Sequence, residues 1–305
     1  MVYAVVGTGA IGGFFGLKLA RSGQQVHFLL RSDYEHVKAK GFDVESPEGS
    51  FHLDTPYVYG NVADMPKADV VIVAIKTTGN ASLGALLPPL LKPSSTVLLI
   101  QNGVGVEEDV QKLLPGVQIC GALAFIACTR TAPGHISHFS NNSIRVVNYS
   151  CREEAVVDAV IRDFSAAGVP TMQMPYDEGR WWKAVWNMPF NGMTVVAGTQ
   201  TAGLVNDPKM KDIITALMME VIGAANACGV PLDEELAKDM IEKTMAMPAY
   251  SPSMKVDYDL HRPMEIEYLY SRPIQIAREH GFRMPLMEML EAELILLDRK
   301  NLKNN

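Results

Sequence analysis

The sequence predicts two folds in succession: an α/β domain built on a parallel, doubly wound sheet over residues 1–174, then an all-helical domain over residues 175–305. Three observations carry this reading. Short β-branched runs alternate with stretches of helical period through about Tyr149. A glycine-rich turn follows the first of those runs. Beyond MPYDEG, a turn-rich joint at residues 174–179, nearly everything has helical period and almost nothing alternates as a strand does.

The first run, VYAVV at residues 2–6, is continuously apolar, as a strand buried on both faces should be. It is followed by QVHFLL (25–30), DVVIVAI (69–75) and TVLLI (96–100), each of which reads as a further strand. Residues 42–53 hold SPEGS between two short alternating runs and predict a hairpin; residues 123–147, with APG near their centre, predict antiparallel strands extending one sheet edge. In the second half, helices are expected over 178–198, 208–228, 232–247, 264–280 and 285–301, with RKNLKNN a solvated end.

Composition narrows the function classes. With 305 residues, 48% of them hydrophobic, the chain has material for a packed core and room for two domains. Net charge is −7 and no basic run exceeds a pair, so the footprint of a nucleic-acid binder is missing. Only six residues precede Gly7, and no stretch reaches ~18 uninterrupted apolar residues, so neither a signal peptide nor a membrane span is expected and the cytoplasm is the expected location. Cys120, Cys128, Cys151 and Cys228 lack CxxC or metal-ligand spacing and read as reduced thiols; the Asn-x-Ser/Thr sites at Asn80, Asn142 and Asn148 then carry no meaning. His135 and His138 have HxxH spacing, but on a strand they face opposite sides, and no metal is expected. The 17 methionines read as flexible core filler.

The glycine turn is Gly7-Thr8-Gly9-Ala10-Ile11-Gly12, with GxGxxG spacing. Gly7 permits the tight turn, Gly9 leaves room for a pyrophosphate, and Gly12 lets the following helix pack against the strand while its first N–H groups face the anion. Placed between a strand and an apolar helix, it predicts a Rossmann-like domain that binds a dinucleotide. An NAD-selective site places Asp or Glu at the end of the second strand; this chain has Arg31-Ser32, a cation and a small donor suited to a 2′-phosphate, with Asp33 next. NADPH is the expected cofactor. Two more strand ends, at Lys76 and at Gln101-Asn102-Gly103-Val104-Gly105, point to the carboxyl edge where such sheets gather ligands, though a surface lysine and a simple turn read equally well from position alone.

In the helical half, Lys183, Asn187 and Asn191 stand four residues apart among Trp181, Trp182, Val185, Trp186, Met188, Phe190 and Met193. At ~100° per residue they share one face. Such a row serves a polar ligand, a wetted surface or a helix–helix hydrogen-bond seam, and Pro189 inside it predicts a kink. A partly desolvated lysine in such a row has a lowered pKa suited to proton transfer, which makes Lys183 a candidate acid.

Taken together, GxGxxG, Arg31, the Lys76 of AIKT, QNGVG with Glu107, TAPGHISHF, WWKAVWNMPFN, SPSM, Glu265 in MEIEYL and HGFRMP resemble the ketopantoate reductase (2-dehydropantoate 2-reductase) family, in the right order over nearly the whole chain. The resemblance implies NADPH-dependent reduction of a 2-oxo acid in pantothenate biosynthesis. It implies Lys183 as proton donor, Asn102 near the nicotinamide and the reacting oxygen, Asn187, Asn191 and Ser253 as substrate ligands, and Glu265 beside both cofactor and catalytic pocket. Members that reduce ketopantoate carry further Asn residues where this chain has Thr201 and Tyr250, and Asn-Gly where it has Tyr270-Ser271. A reductase of another branched 2-oxo acid therefore stands as one alternative, and a non-catalytic NADPH-binding regulator as another. A homodimer is an assembly open to it.

Overall fold

The computed structural model describes residues 1–303, which fall into two compact units: Met1–Gln101 with Val106–Tyr176, and Asn102–Gly105 with the described residues from Asp177 onward.

In the first unit, ten strands form one sheet: β1 (Val2–Val6), β2 (Gln25–Leu29), β3 (Phe42–Glu45), β4 (Phe51–Leu53), β5 (Tyr57–Tyr59), β6 (Ala68–Val73), β7 (Leu91–Leu99), β8 (Gln118–Ala132), β9 (His135–Asn148) and β10 (Thr171–Met174). Their spatial order is β4-β3-β9-β8-β7-β6-β1-β2-β5, with β10 paired to β9. All pairings are parallel except β3–β4 and β8–β9. The sheet is therefore mostly parallel, as the sequence predicts. The hairpin expected at 42–53 is β3–β4, and the antiparallel pair expected at 123–147 is β8–β9. The latter begins earlier because Gln118–Gly121 first pair with β7 before the strand runs on into its hairpin. Two strands escape the sequence reading: β5 is three residues long, and β10 is TMQM, which has too few apolar residues to show a period.

Helices α1 (Ala10–Arg21), α2 (Tyr34–Lys40), α3 (Leu83–Leu86), α4 (Val106–Leu113) and α5 (Glu154–Ala166) accompany the sheet. The side chains of Tyr3, Phe14, Phe15, Phe28 and Phe164 are fully buried in this core, with Phe15 and Phe164 edge to face at 6.1 Å. The glycine turn joins β1 to α1. Gly7 has φ +99°, and a Cβ there would lie 2.4 Å from the Ile75 nitrogen; a Cβ on Gly12 would lie 2.3 Å from the Gly7 carbonyl oxygen. Thr8 Oγ1 donates to the Leu29 carbonyl at 2.9 Å, tying the turn to the end of β2.

The second unit is built from α6 (Tyr176–Val196), α7 (Thr201–Val205), α8 (Pro208–Ala227), α9 (Glu235–Met245), α10 (Ser253–Asp259), a π-helical turn at Glu267–Ser271, α11 (Arg272–Glu279) and α12 (Pro285–Lys303). Asp207 caps α8 by accepting from the Met210 N–H at 2.9 Å, with Pro208 in the first turn where its missing N–H costs nothing. Where one helix is expected over 264–280, the structure has the π turn leading into α11. Pro273 has no N–H to give the carbonyl four residues back, and the ladder widens there. Helices α7 and α10 are five and seven residues long, too short for their period to stand out in the sequence. No helix among the described residues is long and apolar enough to cross a membrane.

Two single substitutions separate packing from openness in the glycine turn. Gly12→Ala is expected to cost about 1–3 kcal/mol in urea unfolding, because its methyl meets the Gly7 carbonyl and the Ala74 Cβ. Gly9→Ala, whose Cβ has no protein atom within 4 Å, should leave the midpoint nearly unchanged.

Candidate active site

The first unit supplies the nucleotide-binding candidates. Nothing in the protein lies within 4 Å of a Cβ built on Gly9, and α1 begins without a side-chain cap and without an acidic residue in its first turn. The N–H groups of Ala10 and Ile11 thus open a twelve-residue helix at a point free of negative charge. Arg31 is exposed two residues past the end of β2. Asp33, by contrast, is buried, and its carboxylate is held by Arg130, Ser32 and the Gly134 N–H. Lys76 is exposed three residues beyond β6, at the start of a 3-10 turn. Gln101 Nε2 donates to the Ile75 carbonyl at 2.8 Å and to Asn80 Oδ1 at 2.7 Å, fastening together the loops after β6 and β7. Glu107 is fully buried and accepts from the Tyr176 hydroxyl at 3.0 Å, which gives it a structural task.

The second unit brings the remaining candidates onto or around α6. Asn102 belongs here through its loop: the Val104 N–H donates to the Tyr268 carbonyl at 3.0 Å, and Gly103 at φ +110° lies so close to Tyr268 that a Cβ would come within 2.5 Å. The Asn102 loop is therefore docked on the π turn that follows Glu265.

Lys183 is half-buried, and desolvation together with the Arg180 guanidinium one turn earlier pushes its ammonium down to about 7, while the Glu265 carboxylate pulls the other way. Arg180 and Glu265 are themselves buried. An ammonium whose affinity for its proton is matched to neutral pH can give that proton up and recover it. Arg180 was not singled out by sequence reasoning, although its spacing of three residues from Lys183 on a helix was the available signal.

Asn187 and Asn191 are both buried, but they are used differently. Asn191 Nδ2 donates to the Asn187 carbonyl at 2.9 Å, and its Oδ1 accepts from the Met254 N–H at 3.1 Å. That second bond satisfies a first-turn donor of α10, so Asn191 fastens to α6 the short helix that begins at Ser253. The Asn187 amide makes no hydrogen bond to the protein among the described residues, and neither does the half-buried Ser253 hydroxyl.

Two of the departures have visible tasks. Thr201 is buried; its Oγ1 accepts from the Tyr250 N–H at 3.2 Å and its own N–H donates to the Tyr250 carbonyl at 3.0 Å, so the two positions are strapped to each other. Tyr270 is fully buried, and its hydroxyl donates to the Met188 carbonyl at 2.6 Å, beside Pro189. The same oxygen sits at Gly192, where a Cβ would lie 2.7 Å from it. Burial pushes the Tyr270 phenol well up, so it remains a donor.

A parallel-sheet unit with an open glycine turn, followed by a helical unit carrying a half-buried, low-affinity ammonium, defines an oxidoreductase of the dinucleotide-fold class. Residues 3–150 match the family model described as "Ketopantoate reductase PanE/ApbA", and residues 176–297 match "Ketopantoate reductase PanE/ApbA C terminal". The chain is 40% identical over 306 aligned positions to the 2-dehydropantoate 2-reductase of Nostoc sp., covering 98% of this chain and 96% of that one. The crystal structure of 2-dehydropantoate 2-reductase from Geobacter metallireducens superposes with a TM-score of 0.94 at 33% identity, covering 98% and 99% of the two chains. D-mandelate dehydrogenase in ternary complex with NADH and anilino(oxo)acetate shares the fold, with a TM-score of 0.90 at 20% identity over 99% of each chain. The chain belongs to the ketopantoate reductase family and is an oxidoreductase acting on CH–OH groups.

The unequal use of the two asparagines is open to measurement. Asn191→Ala should lower the unfolding free energy by about 1–3 kcal/mol, because it strands the buried Met254 N–H. Asn187→Ala should change it by less than about 1 kcal/mol. Equal losses in parallel urea titrations would contradict the assignment.

Proposed function

We propose that the protein is an NADPH-dependent reductase of 2-oxo acids, with 2-dehydropantoate (ketopantoate) to pantoate as its reaction. The observation that carries this reading is Lys183: a half-buried lysine that feels both the buried Arg180 guanidinium and the buried Glu265 carboxylate, with Asn187 one turn further along the same helix and its amide not used within the described residues. A protein that only senses a dinucleotide has no use for such a proton donor. A cytoplasmic setting accords with the reaction.

The residues present fit the cofactor. Gly9 leaves open space at an uncapped helix N-terminus, and Arg31 is exposed where the 2′-phosphate of NADPH is recognised in this fold. Gly7, Gly9, Ala10, Ile11, Gly12, Arg31 and Lys76 would hold it, and the family resemblance adds Asn102 and Glu265 to the residues it would use. When bound, NADPH supplies the hydride that reduces the carbonyl carbon. Lys183 in its ammonium form stabilises the oxygen as it gains negative charge and transfers a proton to it. Glu265 opposes the effect of Arg180, keeping a usable fraction of Lys183 protonated. Asn187 and Ser253, whose polar atoms are not spent within the protein, orient the substrate, and Asn191 holds Ser253 in place.

A second reading, reduction of a different 2-oxo acid, is favoured by Thr201 and Tyr250. The Thr201 hydroxyl oxygen already accepts from the Tyr250 N–H, so this pair does not offer a substrate hydroxyl what two amides would. NADPH absorbance followed across a panel of 2-oxo acids tests the whole proposal: absence of turnover on every one would leave a binding protein rather than a reductase.

The pH profile tests the donor. Reduction requires the protonated lysine, so kcat/KM for the ketone should be flat below about 7 and fall above it. Glu265→Gln removes the influence that raises the Lys183 pKa and should move that limb to lower pH, while Lys183→Ala should cut turnover ~100-fold or more with NADPH binding retained.

Substrate preference tests the pocket. Sites built around a substrate hydroxyl reject analogues lacking it by ~10⁴-fold. Here the kcat/KM ratio of ketopantoate to ketoisovalerate, which lacks the hydroxymethyl group, is expected to stay below ~10³.

A further inference from the structure

The segment after β2 holds two opposite charges, Arg31 and Asp33, in the stretch where dinucleotide folds choose between a ribose hydroxyl and a 2′-phosphate. An available carboxylate there accepts from the ribose hydroxyls of NADH and repels the extra phosphate of NADPH. In this structure it is not available. The Asp33 side chain is 5% exposed, and Arg130 Nη1 stands 2.5 Å from both of its oxygens. Ser32 Oγ donates to Oδ1 at 2.9 Å and the Gly134 N–H to Oδ2 at 3.3 Å. Arg130 lies near the end of β8 and Gly134 in the turn before β9, so the tip of the long β8–β9 hairpin is what reaches residue 33. These donors hold the Asp33 carboxyl below the usual carboxylate range despite its burial, so it stays charged and stays paired. Outward, Arg31 is exposed and the Arg130 side chain remains 42% exposed, while the next carboxylate, Glu35, is exposed in the first turn of α2.

We propose that Arg130 is a positioning residue for cofactor choice, acting through Asp33: by binding that carboxylate and drawing it inward, it withdraws the acidic group two residues from Arg31 that would favour NADH. The inference rests on the NADPH reading above and names a determinant outside the glycine turn and outside the strand end where such determinants are sought.

The test is a set of dissociation constants on the purified full-length protein without turnover, using NADPH and NADH by fluorescence titration and 2′,5′-ADP and ADP by calorimetry. The unaltered protein should favour the 2′-phosphorylated member of each pair. Arg130→Ala should reduce that preference by about 5- to 10-fold, because an unmasked carboxylate repels the phosphate. Asp33→Asn added to Arg130→Ala should restore it to within about 2-fold, since the repelling charge is gone. Loosening of the hairpin alone would weaken both members of each pair alike and would not be rescued. If Arg130→Ala does not fold, Arg130→Gln, which retains a hydrogen-bond donor but not the charge, should shift the ratio in the same direction. An unchanged ratio in a folded Arg130 variant that still prefers NADPH overturns the inference and leaves the NADPH reading standing. Equal affinities in the unaltered protein overturn both.

Discussion

The second unit depends on the burial of one cation beside another. Lys183 and Arg180 stand one turn apart on α6, the first half-buried and the second buried, and the Glu265 carboxylate offsets the effect of the arginine on the lysine. Two like charges in so confined a place are costly, and a helix tolerates them only if the surrounding elements hold it fast. They do so at successive points along its length. Trp186 donates to Thr244 of α9 at 2.9 Å, Tyr270 bonds the Met188 carbonyl, and Asn191 bonds the start of α10. The charged turn thus lies on a helix that is fastened at several points further along its length.

The first unit solves a different electrostatic problem. A helix N-terminus left without a cap is a destabilised end in isolation, and so is an exposed arginine without a counter-ion. Beside Arg31, the Asp33 carboxylate is committed to the β8–β9 hairpin.

Much of this was legible in the sequence where the signal is local. Four long apolar runs give β1, β2, β6 and β7, and spacing alone puts Lys183, Asn187 and Asn191 on one helix. What sequence does not carry is the partner across space. Asn191 looks identical in kind to Asn187, yet its amide is spent on a residue 63 positions away. Asp33 stands in the sequence only as the acidic neighbour of Arg31-Ser32, and its arginine lies 97 positions on. Tyr270 stood out only as a departure from relatives, and its hydroxyl acquires meaning only when α6 lies beside it.

The π turn at Glu267–Ser271 has a consequence of phase. A π turn is an α-helix carrying one residue more than its ladder needs, so the segment before it is rotated by ~100° relative to an unbroken helix. Glu265 lies immediately upstream of that extra residue, and Arg272, against which Gly105 packs, lies immediately downstream. The surface that seats the Asn102 loop is therefore set in phase with α11 by a count of residues, and the irregular chain carrying Glu265 leaves from the other end of the same turn. Loss of a single position within the turn would shift the phase at which Leu269 and Tyr270 enter the core and, with it, the point from which the chain runs back to Glu265.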